Sequence, residues 1–342
     1  MEFERKRRSG GQSPQCDGPD MTRWPKPLLC CAIANLSSMP AMAQDLPAGP
    51  ATLVPDRQPL DQAWWTGPML ANSAATLPRG HALIETYVYD RITATSHGLG
   101  SLTYLLYGVT DTLTLGAKPS FGFNSVSNGR DGSGVGFGDL TLTAQYRLTS
   151  FDAGRSIPAI ALSVQHSLPT GKYDRLGDRP SDGLGSGAHT TILSVYAQHY
   201  FWLPNGRIFR ARLNASTAFS DAAKLTDVSV YGTRDGFRGR ARPGKSFSLG
   251  VSGEYSLTRS WVLALDLIYN HDDPTRVHGF DIRDAVNPIR YRTGSSDGFA
   301  IAPAIEYSWK PNLGVLLGTR FVPRGHNVTA SITPALAINY VY

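Results

Sequence analysis

The sequence predicts an all-β protein, a transmembrane antiparallel barrel of about twelve strands of the bacterial outer-membrane type. Three observations predict it. From residue 80 onward, segments of about ten residues alternate apolar and polar side chains between clusters of Gly, Pro, Asn and Asp. The connections between them alternate between short turns and long polar loops, as barrel turns and outer loops do. The chain closes on an alternating strand, Leu336, Ile338, Tyr340 and Tyr342, that ends in an aromatic residue. Composition agrees, since 342 residues with 41% hydrophobic and 18% charged can build a large core or barrel and are too apolar for a disordered chain. No run of about 18 apolar residues supplies a spanning helix. A soluble sheet with one wet face is the alternative, and it differs in where the apolar face points.

Residues 1–43 read as a leader. From Met21, the expected true start, a basic stretch (Arg23, Lys26) precedes apolar Leu28, Leu29, Cys30, Cys31, Ala32 and Ile33, then Ala41-Met42-Ala43 before Gln44. That is the pattern of a cleaved secretory signal peptide, too short to span as a helix. All three cysteines (Cys16, Cys30, Cys31) lie here, so no disulfide or thiolate chemistry is expected beyond it. Part of the net charge of +6 lies here too, and the remainder is weak for a nucleic-acid binder.

Residues 44–78 lack alternation and carry Pro47, Pro50, Pro55, Pro59 and Pro68, which excludes an ordinary strand. Trp64 and Trp65 need burial. The segment is expected to enter or cap the periplasmic mouth as a plug, against the alternative of a flexible tether.

Residues 79–342 form the barrel, with strands expected at 80–91, 99–108, 111–124, 137–149, 157–168, 188–201, 207–220, 246–258, 260–270, 298–309, 313–322 and 330–342. Leu140, Leu142, Ala144, Tyr146 and Leu148 against Thr141, Thr143, Gln145, Arg147 and Thr149 show the pattern. Short turns fall at Thr110-Asp111, 150–156, Pro204-Asn205-Gly206, Arg259 and Pro311-Asn312. Tyr107, Tyr146, Tyr200, Tyr255 and Tyr307 precede these turns at similar spacing, with Trp202, Trp261 and Trp309 at the same level, which predicts an interfacial aromatic girdle.

If the apolar parity meets lipid, the other lines the lumen and carries the candidate pathway residues: Glu85, Lys118, Asp139, Arg147, Arg210, Arg212, Glu254, Asp266, Glu306 and Arg320. Their mixed sign argues against a strongly ion-selective pore and for a salt-bridged interior or a path for a neutral or amphipathic solute. Arg210 and Arg212 share a strand face and need either acidic partners across the lumen or an anionic group. The loops 169–187, 221–245 and 271–297 are long enough to serve function or to be solvated surface.

Other motifs carry little chemistry. Gly134-Val135-Gly136-Phe137-Gly138 has no helix after it to complete a phosphate site and reads as the start of a strand. His271, Asp272, Asp273, His278 and Asp281 match no metal-ligand spacing. His166 and Ser167 are adjacent on a strand and point to opposite faces, so they make no nucleophile–base pair. Asn327-Val328-Thr329 fits a glycosylation triplet, which means little beside bacterial export signals. No catalytic residue, metal or cofactor is expected.

Trp64-Trp65-Thr66-Gly67-Pro68-Met69-Leu70, then Ser73-Ala74-Ala75-Thr76-Leu77-Pro78-Arg79-Gly80-His81, resemble the family named after the MetA pathway of phenol degradation. The resemblance continues through Gly138-Asp139-Leu140, Leu168-Pro169-Thr170-Gly171-Lys172-Tyr173 and Tyr255-Ser256-Leu257-Thr258, nearly the whole mature chain. It implies an outer-membrane transporter and no site residues. The reading is therefore a non-enzymatic channel for passive uptake of a small, aromatic or otherwise hydrophobic solute. A lipid-acting barrel enzyme and a closed structural or adhesive barrel are the alternatives. Expected partners are outer-membrane lipid, lipopolysaccharide, the solute and, through the last strand, the barrel-assembly machinery.

Overall fold

The computed structural model describes residues 56–342. The leader, its cleavage pattern and the start of the proline-rich segment lie outside the described residues. In chain order the strands are β1 (Ala82–Ile92), β2 (Ser96–Thr110), β3 (Leu113–Lys118), β4 (Ser120–Val126), β5 (Gly136–Phe137), β6 (Leu140–Thr149), β7 (Ala159–Leu168), β8 (Thr190–Trp202) and β9 (Ile208–Ser220). They continue as β10 (Ala223–Thr226), β11 (Phe237–Arg242), β12 (Ser246–Ser256), β13 (Trp261–Asp272), β14 (Arg276–Asp281), β15 (Asp284–Arg292), β16 (Ser296–Lys310), β17 (Leu313–Val322) and β18 (Ser331–Val341).

β3 and β4 both pair with β2 and form one barrel strand broken at Pro119, which has no N–H for the ladder. The short β5 likewise precedes β6, so twelve antiparallel strands make the wall. The first and last strands pair, with Leu83 opposite Val341 and Val88 opposite Leu336. That closure leaves no unpaired edge, the condition for a sheet to cross hydrocarbon. Each predicted strand is present to within a few residues at its ends, and Gly136–Phe137 is the short strand that the glycine run suggested. The Thr93 to Thr95 link between β1 and β2 is short, unlike the other connections on its side.

The parity decides between membrane and soluble sheet. On β13 Trp261, Leu263, Leu265 and Leu267 are exposed, whereas Val262, Ala264 and Asp266 are buried. On β18 Leu336, Ile338 and Tyr340 face out, with Ala335 and Ala337 inside. The apolar face is the outside of the barrel all the way round, an area that water would not tolerate and lipid requires. The short turns are built from local side chains. Thr110 Oγ1 accepts from the Leu113 N–H at 3.0 Å, Thr258 Oγ1 from the Trp261 N–H at 3.0 Å, and Gly206 adopts φ +76° in the Pro204-Asn205-Gly206 turn.

Tyr107, Tyr146, Trp261 and Trp309 stand exposed near these turns, as a girdle requires. Tyr200 and Trp202 do not. They share the inward parity of Gln198, whose Nε2 donates to Tyr200 Oη at 2.8 Å, and the Trp202 indole donates to the Gln58 carbonyl at 2.9 Å. On β8 the outward positions at this depth are His199 and Phe201, and the two larger rings lie against the chain at Gln58 and Trp65.

The outer loops hold structure that the sequence reading left as loop. β10, β11, β14 and β15 make a separate four-stranded sheet. Its apolar side, with Leu225, Phe237, Ala241, Val277 and Ile289, packs on Ala188, Tyr173 and Tyr231. The 169–187 loop is tied to the wall by Asp139, whose carboxylate accepts from the Gly171 N–H (3.0 Å) and from the N–H and hydroxyl of Ser186 (2.8 and 2.7 Å). In the same loop Asp182 accepts from the Ser133 N–H of the β4–β5 connection and from the Lys172 ammonium, which hold its carboxyl below the usual carboxylate range.

Candidate functional site

A barrel of about eight strands fills its interior with side chains, and a twelve-stranded one leaves room. Here a stretch of the chain itself takes part of that room. A segment without alternation cannot pair as a strand, so its N–H groups need other acceptors once it leaves water. The lumenal carboxylates supply them. Glu306 Oε2 on β16 accepts from the N–H groups of Thr66 (2.8 Å) and Gly67 (3.1 Å). Asp266 on β13 accepts from Leu70 (2.9 Å) and Ala71 (3.2 Å), and from the Ser252 hydroxyl.

The segment then crosses to the far wall. Asn214 on β9 donates to the Asn72 carbonyl (3.1 Å), and Gln145 on β6 to the carbonyls of Ser73 (3.0 Å) and Ala75 (3.1 Å). Thr114 on β3 accepts from the Leu77 N–H at 2.9 Å. Ala74, with no exposed surface, packs on Ala159, Ala161 and Tyr196, while Met69 packs on Ala264, Ala304, Leu316 and Ala337. Residues 64–77 thus touch strands on opposite sides of the ring and lie within it.

Arg210 and Arg212 share one carboxylate on a neighbouring strand and do not find acids across the lumen. Arg210 stands opposite Glu254 in the β9–β12 register and makes a bidentate pair with it, Nε to Oε2 being 2.6 Å. Arg212 Nε lies 3.1 Å from the same carboxylate, and its Nη1 donates to the Ala71 carbonyl at 2.8 Å. Trp65 lies over the Arg210 guanidinium, 4.3 Å from ring centre to Cζ. Trp64 covers Arg259 at 4.5 Å, at the turn before β13.

The other predicted lumen residues are more scattered. Lys118 donates to Gln165 Oε1 at 2.6 Å and sits 4.9 Å from the Tyr104 ring. Arg147 donates to the Asp111 carbonyl (2.9 Å) near the periplasmic turn, and Asp139 braces the outer loop described above. Glu85 lines a cavity of about 270 Å³ with Trp65, Tyr104, Arg210 and Arg212.

Arg320 lines a second cavity of about 350 Å³, walled by Met69, Tyr87, Tyr89 and Tyr104 and shared with Arg91. Among the described residues neither Arg91 nor Arg320 has an ion-pair partner, and Arg320 Nε is buried without a hydrogen bond. Sequence reasoning missed Tyr87, Tyr89 and Arg91. They follow Glu85 at steps of two on β1, and extending its parity along the strand would have found them.

Ser167 bonds Thr141 at 2.7 Å, whereas His166 points to the other face and meets His189 at 3.3 Å, so the two form no catalytic pair. One tight contact ties the segment to the wall: a Cβ added to Gly314 would fall 2.2 Å from Thr66 Cγ2. The same Cβ would fall 2.8 Å from Ser308 Oγ and 3.0 Å from Asn339 Oδ1 on the wall, so Gly314→Ala is expected to displace the segment at Thr66 and to shift these two wall side chains, which bilayer recordings would register as more frequent open events.

A closed twelve-stranded barrel, apolar outside and charged within, with chain threaded through the lumen, is an outer-membrane channel fold. The chain belongs to the family described as "Putative MetA-pathway of phenol degradation", whose model matches residues 67–333. Among solved structures it is similar to the COG4313 outer membrane channel from Pseudomonas putida F1, at 16% identity and a TM-score of 0.60, over 80% of this chain and 99% of that one. It is also similar to the NanC porin (9%, TM-score 0.43, 75% and 98% covered) and the KdgM porin (9%, TM-score 0.40, 75% and 98% covered). No curated protein matches the chain in sequence.

Proposed function

We propose that the protein is a passive channel of the bacterial outer membrane, reached after signal-directed export, for a small aromatic solute carrying an anionic group. Residues 64–77 are its plug. The observation that carries the reading is the Tyr87, Tyr89, Tyr104 and Met69 chamber with two guanidiniums that no acid neutralises. Aromatic walls hold a ring by stacking and sulfur contact, and an Arg pair gives its carboxylate charge-assisted hydrogen bonds. Arg210 and Arg212 already share Glu254, and Arg212 also donates to the Ala71 carbonyl, so they are less open to a solute than Arg91 and Arg320. Passive conduction needs no reaction or cofactor. The lipid-facing wall and the aromatic last strand support contact with membrane lipid and with the assembly machinery.

The test is conductance in a planar bilayer with benzoate and, separately, benzyl alcohol. Benzoate is expected to block the current more strongly, and Arg320→Gln to weaken that block by about tenfold or more, the value of one charged hydrogen bond. Equal block by both solutes, or a block unchanged in Arg320→Gln, would refute the anionic-solute assignment.

A further inference from the structure

The four-stranded sheet formed by β10, β11, β14 and β15 has one apolar side, already packed, and one side that carries two rows of basic side chains. Residues directly opposite in an antiparallel ladder share a face. The register sets Lys224 against Arg240, Arg240 against His278, and His278 against Arg290. Beside that row, Arg242 stands against Arg276 and Arg276 against Arg292. All seven side chains are exposed. Nearby arginines do have partners, Arg238 with Asp227 and Arg283 with Asp235. Among the described residues none of these seven forms an ion pair.

Like charges placed directly opposite one another destabilise a sheet. Lys224 against Arg240, and the row Arg242, Arg276 and Arg292 beside them, are difficult to rationalise as a merely solvated surface, for which alternating signs would serve better. Their position identifies the counter-charge. Arg242, Arg276 and Arg292 line a cavity of about 340 Å³ together with Lys245, Phe219 and a single carboxylate, Asp273. Phe219 lies on the exposed, lipid-facing parity near the end of β9, and the Lys245 ammonium sits 5.5 Å from its ring centre. The cationic rows therefore begin where the lipid-facing wall ends, on the side of the long outer loops.

We infer that this face binds the phosphorylated saccharide headgroup of the outer-leaflet glycolipid, lipopolysaccharide. Arginine forks pair with phosphate oxygens two at a time, and a headgroup with several phosphates can engage both rows. The inference rests on the outer-membrane placement proposed above and not on conduction through the lumen.

Two measurements on the folded full-length protein in detergent test it. The first is binding of bisphosphorylated lipid A, dephosphorylated lipid A and inorganic phosphate to the wild type and to the triple variant Arg242→Gln, Arg276→Gln, Arg292→Gln. The bisphosphorylated lipid is expected to bind the wild type about tenfold or more tighter than the dephosphorylated one, and the variant to lose that preference. The second is the unfolding temperature without lipid, which is expected to stay level or rise in the variant because repulsion has been removed. Should the triple variant fail to fold, Arg276→Gln alone, flanked by an arginine on each side, keeps the test with a smaller expected loss. Equal binding by wild type and variant overturns the inference. So does equal binding of the two lipids, and inorganic phosphate competing at equal phosphate concentration would mark a free-anion site instead.

Discussion

Removal of residues 56–77 is expected to raise single-channel conductance several-fold while the barrel still folds and closes. The wall does not depend on the segment, because the β1–β18 ladder completes the ring without it. As the proposed plug, the segment would obstruct a lumen that twelve strands leave wide. Its loss would free Glu306 and Asp266 from backbone donors, and entering water would solvate them, so no buried charge would be stranded. A shorter deletion ending at residue 62 is expected to change conductance little. It removes contacts at the mouth, such as Gln58 with Trp202, and leaves Trp65 and the Thr66 to Leu77 anchors in place. If the longer deletion leaves both conductance and solute block unchanged, residues 64–77 are not a plug.

The wall was legible in the sequence because its cause is simple. Lipid outside and water or polar chain inside force a period of two on every strand, and β13 or β18 cannot satisfy both surroundings in any other pattern. The charged positions that face inward were legible for the same reason, as Arg210, Glu254, Asp266 and Glu306 show. Which of them meet was not. Arg210 and Arg212 find Glu254 through the β9–β12 register, and register depends on turn geometry and packing that a single sequence does not display. Tyr200 and Trp202 were misplaced in the girdle because spacing from a turn gives depth along the barrel and says nothing of which face a ring takes. The outer sheet escaped notice because β10 has only four residues, and the rows of arginine on β11, β14 and β15 resemble solvated loop. Its pairing joins two loops far apart in sequence, which local pattern cannot reveal.

Glu254→Gln should be the most destabilising single substitution in the lumen. Glu254 has no exposed surface, pairs bidentately with Arg210 and lies 3.1 Å from Arg212, so its loss strands two buried guanidiniums on one carboxamide. Breaking a buried pair from one side costs about 3–5 kcal/mol, mostly as the penalty on the partner left charged. Glu306 and Asp266 cannot compensate without letting go of residues 66–71, since they already accept from Thr66, Gly67, Leu70 and Ala71. Urea unfolding in detergent should therefore show a lower midpoint. Reversal potentials in a salt gradient should shift toward anion selectivity, because the lumen gains positive charge. Glu306→Gln is the informative contrast. A glutamine oxygen can still accept from the Thr66 and Gly67 N–H groups, and no ion pair ends on Glu306 among the described residues. Its cost should stay near that of a weakened hydrogen bond, about 1 kcal/mol. If both substitutions cost the same, the Arg210–Glu254–Arg212 cluster is not what holds this wall, and the stability must come from the ladder and the plug backbone alone.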